Sequence, residues 1–201
     1  MRIRPITMAA FMSIGLPIAA IGQQPQEQPA DEPQRQLGAH VHGAGKLSIA
    51  IEKRVVEIEL EAPGSDIVGF EHAAATTDQK QAVARARATL AKPLTLIKLP
   101  EAAACKLISA KVKLVGGGSH DGHDHGPAKA KAAAPQHSEF HAEYMFNCAK
   151  PELIQAIDLD YFKTFPRAEA LDVTFIGAKG QATQHKATKD KPRVEFKGAA
   201  G

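Results

Sequence analysis

Seven of the nine histidines in this 201-residue chain fall into three groups whose spacings suit a metal ion. The first group is His40-Val41-His42-Gly43. Residues two apart on an extended strand point to the same side, so both imidazoles could reach one ion. Neutral imidazole is a preferred zinc ligand. The competing reading is a pair of exposed or capping histidines just ahead of the first strand. The second group is His120-Asp121-Gly122-His123-Asp124-His125. Its surroundings hold almost no apolar side chains, so core packing does not explain it. It reads as a flexible chelator open to Zn, Ni or Cu, all of which imidazole suits, or else as a solvated polar linker.

His137, Glu139, His141 and Glu143 form the third group, alternating with Phe140, Ala142 and Tyr144. A period of two puts these two imidazoles and two carboxylates together on the outer face of a strand. That makes a metal platform or an ordinary charged solvent face. His72 stands in Gly69-Phe70-Glu71-His72, a turn ahead of a helix, and by itself reads as structural unless the fold brings it near His40 and His42. His185 is solitary and takes no role. Metal binding needs neutral imidazole, so affinity should fall as pH drops through about 6.5.

The elements that must position these groups are short. Leu47, Ile49 and Ile51, then Val56, Ile58 and Leu60, alternate with polar residues on either side of Lys53-Arg54, which predicts an antiparallel hairpin ended by Pro63-Gly64. Thr76 and Gln79 make a capping box ahead of Ala82, Val83, Ala86 and Leu90 at helical spacing, and Pro93 stops that helix. Residues 106–115 return to a strand, with Ile108, Ala110, Val112 and Leu114 on one face. Residues 116–136 are low in complexity and predict a disordered His-rich loop. Phe140, Ala142, Tyr144 and Phe146 resume a strand that ends near Cys148. Beyond it come a strand over 153–159, a short helix over 161–168, a strand over 171–176 and a last strand from about Gln181. The fold class is α+β, with antiparallel sheets, short helices and two halves that each run strand, strand, helix, strand.

The N-terminus reads as an address. Arg2 and Arg4 precede an apolar stretch over 6–20, and Ala20-Ile21-Gly22 supplies small residues for cleavage after Gly22. The stretch is shorter than the roughly 20 residues of a membrane span. A disordered Gln/Pro-rich leader over 23–36 follows, then a domain over 37–196 and a tail over 197–201. There are 25 Lys and Arg against 22 Asp and Glu, a formal net charge of +3 that drops to about +1 without Arg2 and Arg4. No basic block is interleaved with aromatics, so nucleic acid is excluded as a partner. Cys105 and Cys148 are the two cysteines. In an exported chain such a pair forms one disulfide; free buried thiols and thiolate ligands are the alternatives. Cys148 shares the phase of Phe146 and Tyr144 whereas Cys105 is out of phase with Ile108 and Ala110, so a bridge requires a local irregularity near Cys105.

The histidine motifs, in the order Ala39-His40-Val41-His42-Gly43, Gly69-Phe70-Glu71-His72, the His/Asp loop and His137-Ser138-Glu139-Phe140-His141, are followed by Phe162 to Pro166 and Gly180-Gln181-Ala182. In these the chain resembles the ZrgA-like family of zinc-regulated periplasmic proteins over most of residues 37–196. The resemblance implies a secreted protein that binds Zn(II) and supports its uptake; a binding module of this kind could pass its ions to a periplasmic component of a zinc importer. It also implies His40, His42, His72, His137 and His141 as ligands. Two rivals differ in kind. A structural or partner-binding envelope protein would carry its histidines incidentally. A zinc hydrolase would need about three fixed ligands, an open position and a general base. The chain has no His-Glu-x-x-His helix, Gly-x-Ser-x-Gly elbow or phosphate loop, and the expectation is a binding protein rather than an enzyme.

Overall fold

The computed structural model describes residues 43–117 and 137–196. The signal, leader and tail expected at the ends, and most of the His-rich loop, lie outside the described residues. The first hairpin forms as its alternation requires. Strand β1 (Ala44–Glu52) pairs antiparallel with β2 (Val55–Pro63), matching Ile49 with Ile58 and Leu47 with Leu60. These side chains and Val56 are buried on one face while the glutamates between them point outward. Strands β4 (Cys105–Val115) and β5 (Glu139–Cys148) extend the sheet beyond β2, and β7 (Ala170–Ile176) and β8 (Ala182–Thr188) extend it beyond β1. The six-stranded order is β4-β5-β2-β1-β7-β8, antiparallel throughout except for the parallel β1–β7 pair.

The irregularity required near Cys105 is a bulge at Ile108. Leu107 pairs with Phe146 but the next pair is Ser109 with Met145, which leaves Ile108 as the extra residue. One inserted residue reverses the phase of a strand. Cys105 therefore comes into register opposite Cys148 while Ala110, Val112 and Leu114 still face the core, and the two cysteines are joined in a disulfide. The same bulge corrects the expected face of Ile108, which is 56% exposed.

A second layer covers the apolar face. It holds the helix α2 (Thr77–Leu90), whose predicted capping box between Thr76 and Gln79 is formed, and a three-stranded sheet of β3 (Ile97–Lys98), β6 (Ala156–Leu159) and β9 (Arg193–Glu195) in the order β3-β6-β9. Tyr144 on β5 donates to the carbonyl of Leu90 at 2.8 Å, so a buried hydroxyl ties the sheet to the last turn of that helix. Burial pushes the Tyr144 phenol pKa well up.

Three boundaries and one additional short strand differ from expectation, each for a local reason. Pro93 opens the short helix α3 (Pro93–Leu96) as its first residue, where its missing N–H costs nothing, while α2 has already ended at Leu90. Residues 151–153 form a 3-10 turn begun by Pro151, so β6 starts only at Ala156. The helix α4 (Tyr161–Thr164) ends before Pro166, since the residue ahead of a proline avoids helical backbone. Strand β9 is too short to show any alternation. The two halves share their element order but not their pairing: β1 and β2 form a hairpin, whereas β5 and β6 belong to different sheets.

Candidate functional site

Among the described residues, the sheet brings Gly43, His137 and Glu139 to one end. Pro63 at the end of β2 pairs with Glu139 at the start of β5, Val115 at the end of β4 pairs with that same Glu139, and Ala44 at the start of β1 pairs with Ala170 of β7. Gly43, which follows His42 in the chain, is at this end, and so are Gly117 and His137, the two flanks of the segment carrying His120, His123 and His125. His40, His42, His120, His123 and His125 themselves lie outside the described residues. The Cys105–Cys148 pair closes the opposite end of the β4–β5 hairpin.

A short helix, α1 (Gly64–Ile67), and the turn after it hold these strand ends together. The Gly64 N–H donates to Ser138 O at 2.8 Å, the Ser138 N–H to Glu71 O at 2.8 Å, and the Gly43 N–H to Asp66 Oδ1 at 3.1 Å. Contact is close enough to demand glycine at two positions. A Cβ on Gly64 would sit 2.6 Å from the Phe70 carbonyl oxygen. One on Gly116, whose φ is +79°, would sit 2.2 Å from the His137 carbonyl oxygen. The Gly-Phe-Glu-His turn is thus seated against the start of β5, and Gly117 packs beside the backbone of His72 and Ala73.

Within this joint the ring of His137 bonds through Nδ1 to a carboxylate oxygen of Glu71, and the other oxygen of Glu71 accepts from Ser65 Oγ at 2.6 Å. Ser65 Oγ also lies 3.3 Å from Asp66 Oδ1, but its single proton serves the shorter bond to Glu71. The ring of His72 stacks on Phe70 with centroids 5.0 Å apart, and its Nδ1 lies 2.9 Å from the carbonyl oxygen of Ala73. A carbonyl or an ionised carboxylate only accepts, so in both rings Nδ1 carries the proton and Nε2 is the basic nitrogen.

His141 is arranged differently. Its Nε2 lies 2.8 Å from Glu139 Oε2, and across the sheet it stands between Glu61 of β2 and Lys113 of β4. The Glu139 hydrogen bond holds the His141 pKa above the usual 6.5 against the opposing effect of burial, and the negative charges of Glu139, Glu61 and Glu143 add to it. The ring therefore keeps its proton to a higher pH than an ordinary histidine and competes for it against a metal.

The expected platform of His137, Glu139, His141 and Glu143 is divided by this geometry. His137 precedes β5 and turns to Glu71, Glu139 is 7% exposed and bonds His141, and Glu143 lies 3.9 Å from Lys113. His72 and His137 come to the same joint. Among the described residues no three His, Cys, Asp or Glu side chains converge closely enough to hold an ion by themselves. The contact that sequence reasoning missed is that of Glu71 with His137: the two are 66 positions apart, and nothing in the Gly-Phe-Glu-His motif marks the pairing.

A family model described as ZrgA family zinc uptake protein matches residues 39–196. The chain belongs to that family. The match spans both described segments and the His-rich segment between them. No curated protein matches the chain. Membership assigns a role in zinc uptake, and the disulfide fits a protein working outside the cytoplasm. Among the described residues no helix is long and apolar enough to cross a membrane.

Proposed function

We propose that this protein is a periplasmic, non-enzymatic zinc carrier that captures or buffers Zn(II) at the Gly64–Glu71–His137 end of the sheet and supplies it to an importer component. The observation that carries this reading is the matched preparation of His72 and His137. Each ring gives its Nδ1 proton to a fixed oxygen and has Nε2 as its basic nitrogen. Metal-ligating histidines are oriented in this way, by a carbonyl or carboxylate on the ring's second nitrogen. Two imidazoles alone do not complete a zinc site, which takes four ligands. His40 and His42 are the natural complement, because Gly43, the residue after them, is pinned to α1 through Asp66. His141 is the weaker candidate, since its proton is held by Glu139.

His120, His123 and His125 would act as a less selective collector, emitted and received by the chain at this same end. Three imidazoles on a Gly-rich segment suit capture and exchange more than storage of many ions. The zinc is cargo here, and the chain's contribution is to hold neutral imidazoles in place and to release the ion when a better donor set approaches. Isothermal titration of the chain from Gln23 onward, with and without residues 120–125, checks this. Zinc should bind in both forms, with fewer ions in the shortened one. The paired His72→Ala and His137→Ala change should weaken the remaining site at least about tenfold. Absence of measurable binding in either form would end the reading.

A further inference from the structure

We infer that Glu71 is a positioning residue for zinc capture, setting the tautomer and aim of His137, with Ser65 as its anchor. The inference rests on the zinc reading of His137 and adds to it a carboxylate that holds His137 rather than the ion. Glu71 is well placed to do this because it grips the start of β5 twice. Its backbone carbonyl accepts the Ser138 N–H at 2.8 Å, and its side chain takes the Nδ1 proton of His137. The Glu71 side chain is only 12% exposed, whereas that of His137 is 53% exposed. A half-exposed imidazole ahead of a strand would otherwise sample several rotamers and both tautomers. The inner partner is the one that is fixed.

Ser65 fixes it. The 2.6 Å bond from Ser65 Oγ occupies Oε1 and leaves Oε2 directed at the histidine. Short bonds of this kind to an ionised carboxylate are about twice as strong as neutral ones. Ser65 belongs to α1, which also receives Gly43 through Asp66 and contacts Ser138 through Gly64. The aim of His137 is therefore referred to the same four-residue helix that anchors the start of β1. A carboxylate behind a ligating histidine raises the basicity of the metal-binding nitrogen as well as orienting it, and its loss costs about 10- to 100-fold in metal affinity.

The test uses the chain from Gln23 onward at pH 7.5, as wild type, Glu71→Ala, Glu71→Gln, Ser65→Ala and His137→Ala. Two readouts are taken: the zinc dissociation constant, and the ring tautomer of His137 in the metal-free protein by two-bond ¹H–¹⁵N NMR. In the wild type the Nδ1–H tautomer should dominate. Glu71→Ala should shift the ring toward Nε2–H and weaken zinc binding by about 10- to 100-fold. Glu71→Gln keeps an acceptor oxygen and should recover the tautomer and part of the affinity. Ser65→Ala should weaken binding by a smaller factor in the same direction. If Glu71→Ala does not fold, Ser65→Ala decides the matter through the same two readouts. A wild-type tautomer and affinity in Glu71→Ala, or in Ser65→Ala where Glu71→Ala does not fold, would overturn the inference while leaving the zinc reading intact. Undiminished binding by His137→Ala would overturn it too, and no zinc binding by the wild type would remove the reading beneath it.

Discussion

Replacing Cys105 and Cys148 by alanine together should lower folding stability by about 4 kcal/mol, because the bridge closes a loop of 43 positions and removes that much freedom from the unfolded chain. The tethered segment includes β4, the His-rich residues and β5, all of which gain freedom in the unfolded chain once the bridge is removed. Native contacts change less. Ala in place of Cys148 removes one buried sulfur from the core, a small cavity beside Phe146 in a strand otherwise held by ladders on both sides. Urea unfolding followed by circular dichroism measures this: the midpoint should fall sharply and the m-value should rise as the denatured state expands. Zinc affinity should change little in the folded variant, because the bridge lies at the opposite end of the hairpin from Gly116 and His137. An unchanged midpoint would contradict the expectation.

Gly116→Ala should cost about 2–4 kcal/mol, combining left-handed backbone strain with overpacking. The added methyl would stand 2.2 Å from the carbonyl oxygen of His137, and a backbone atom gives way less cheaply than the end of a flexible side chain. Gly180→Ala provides the control. Its φ is also positive, +81°, but nothing lies within 4 Å of the position, so only the backbone strain applies, about 1 kcal/mol. The difference between the two variants in thermal or urea unfolding isolates the crowding at the joint. Since relief of the clash must move His137, Gly116→Ala should also weaken zinc binding while Gly180→Ala leaves it intact. Equal effects of the two substitutions would show that the joint is looser than its geometry indicates.

The strands were legible where one face is buried and the other solvated. The β1–β2 hairpin, the Thr76 capping box and the apolar face of β5 all follow from local period and local chemistry. The bulge at Ile108 was required by the phases of Cys105 and Cys148, but no residue type marks where the extra residue goes. Strands β3 and β9 are held by partners rather than by their own pattern, and so left no trace in the sequence. At the candidate site the histidines announced themselves by spacing, whereas their grouping did not. His137 and His141 alternate as if they shared a face, yet one turns to Glu71 and the other to Glu139 because the strand begins between them. Glu71 and Ser65 matter through contacts set by α1, and only the folded chain brings those together.

The measurement that bears most directly on a zinc site at this end of the sheet is a zinc titration of the ¹⁵N-labelled chain from Gln23 onward, followed through its backbone amide resonances. The expected result is that the largest shifts fall on Gly43, Glu71, His72, Gly117, His137 and Ser138, with Cys105, Cys148 and the β3-β6-β9 sheet unmoved. Shifts confined to other parts of the fold, or none at all at stoichiometric zinc, would contradict it.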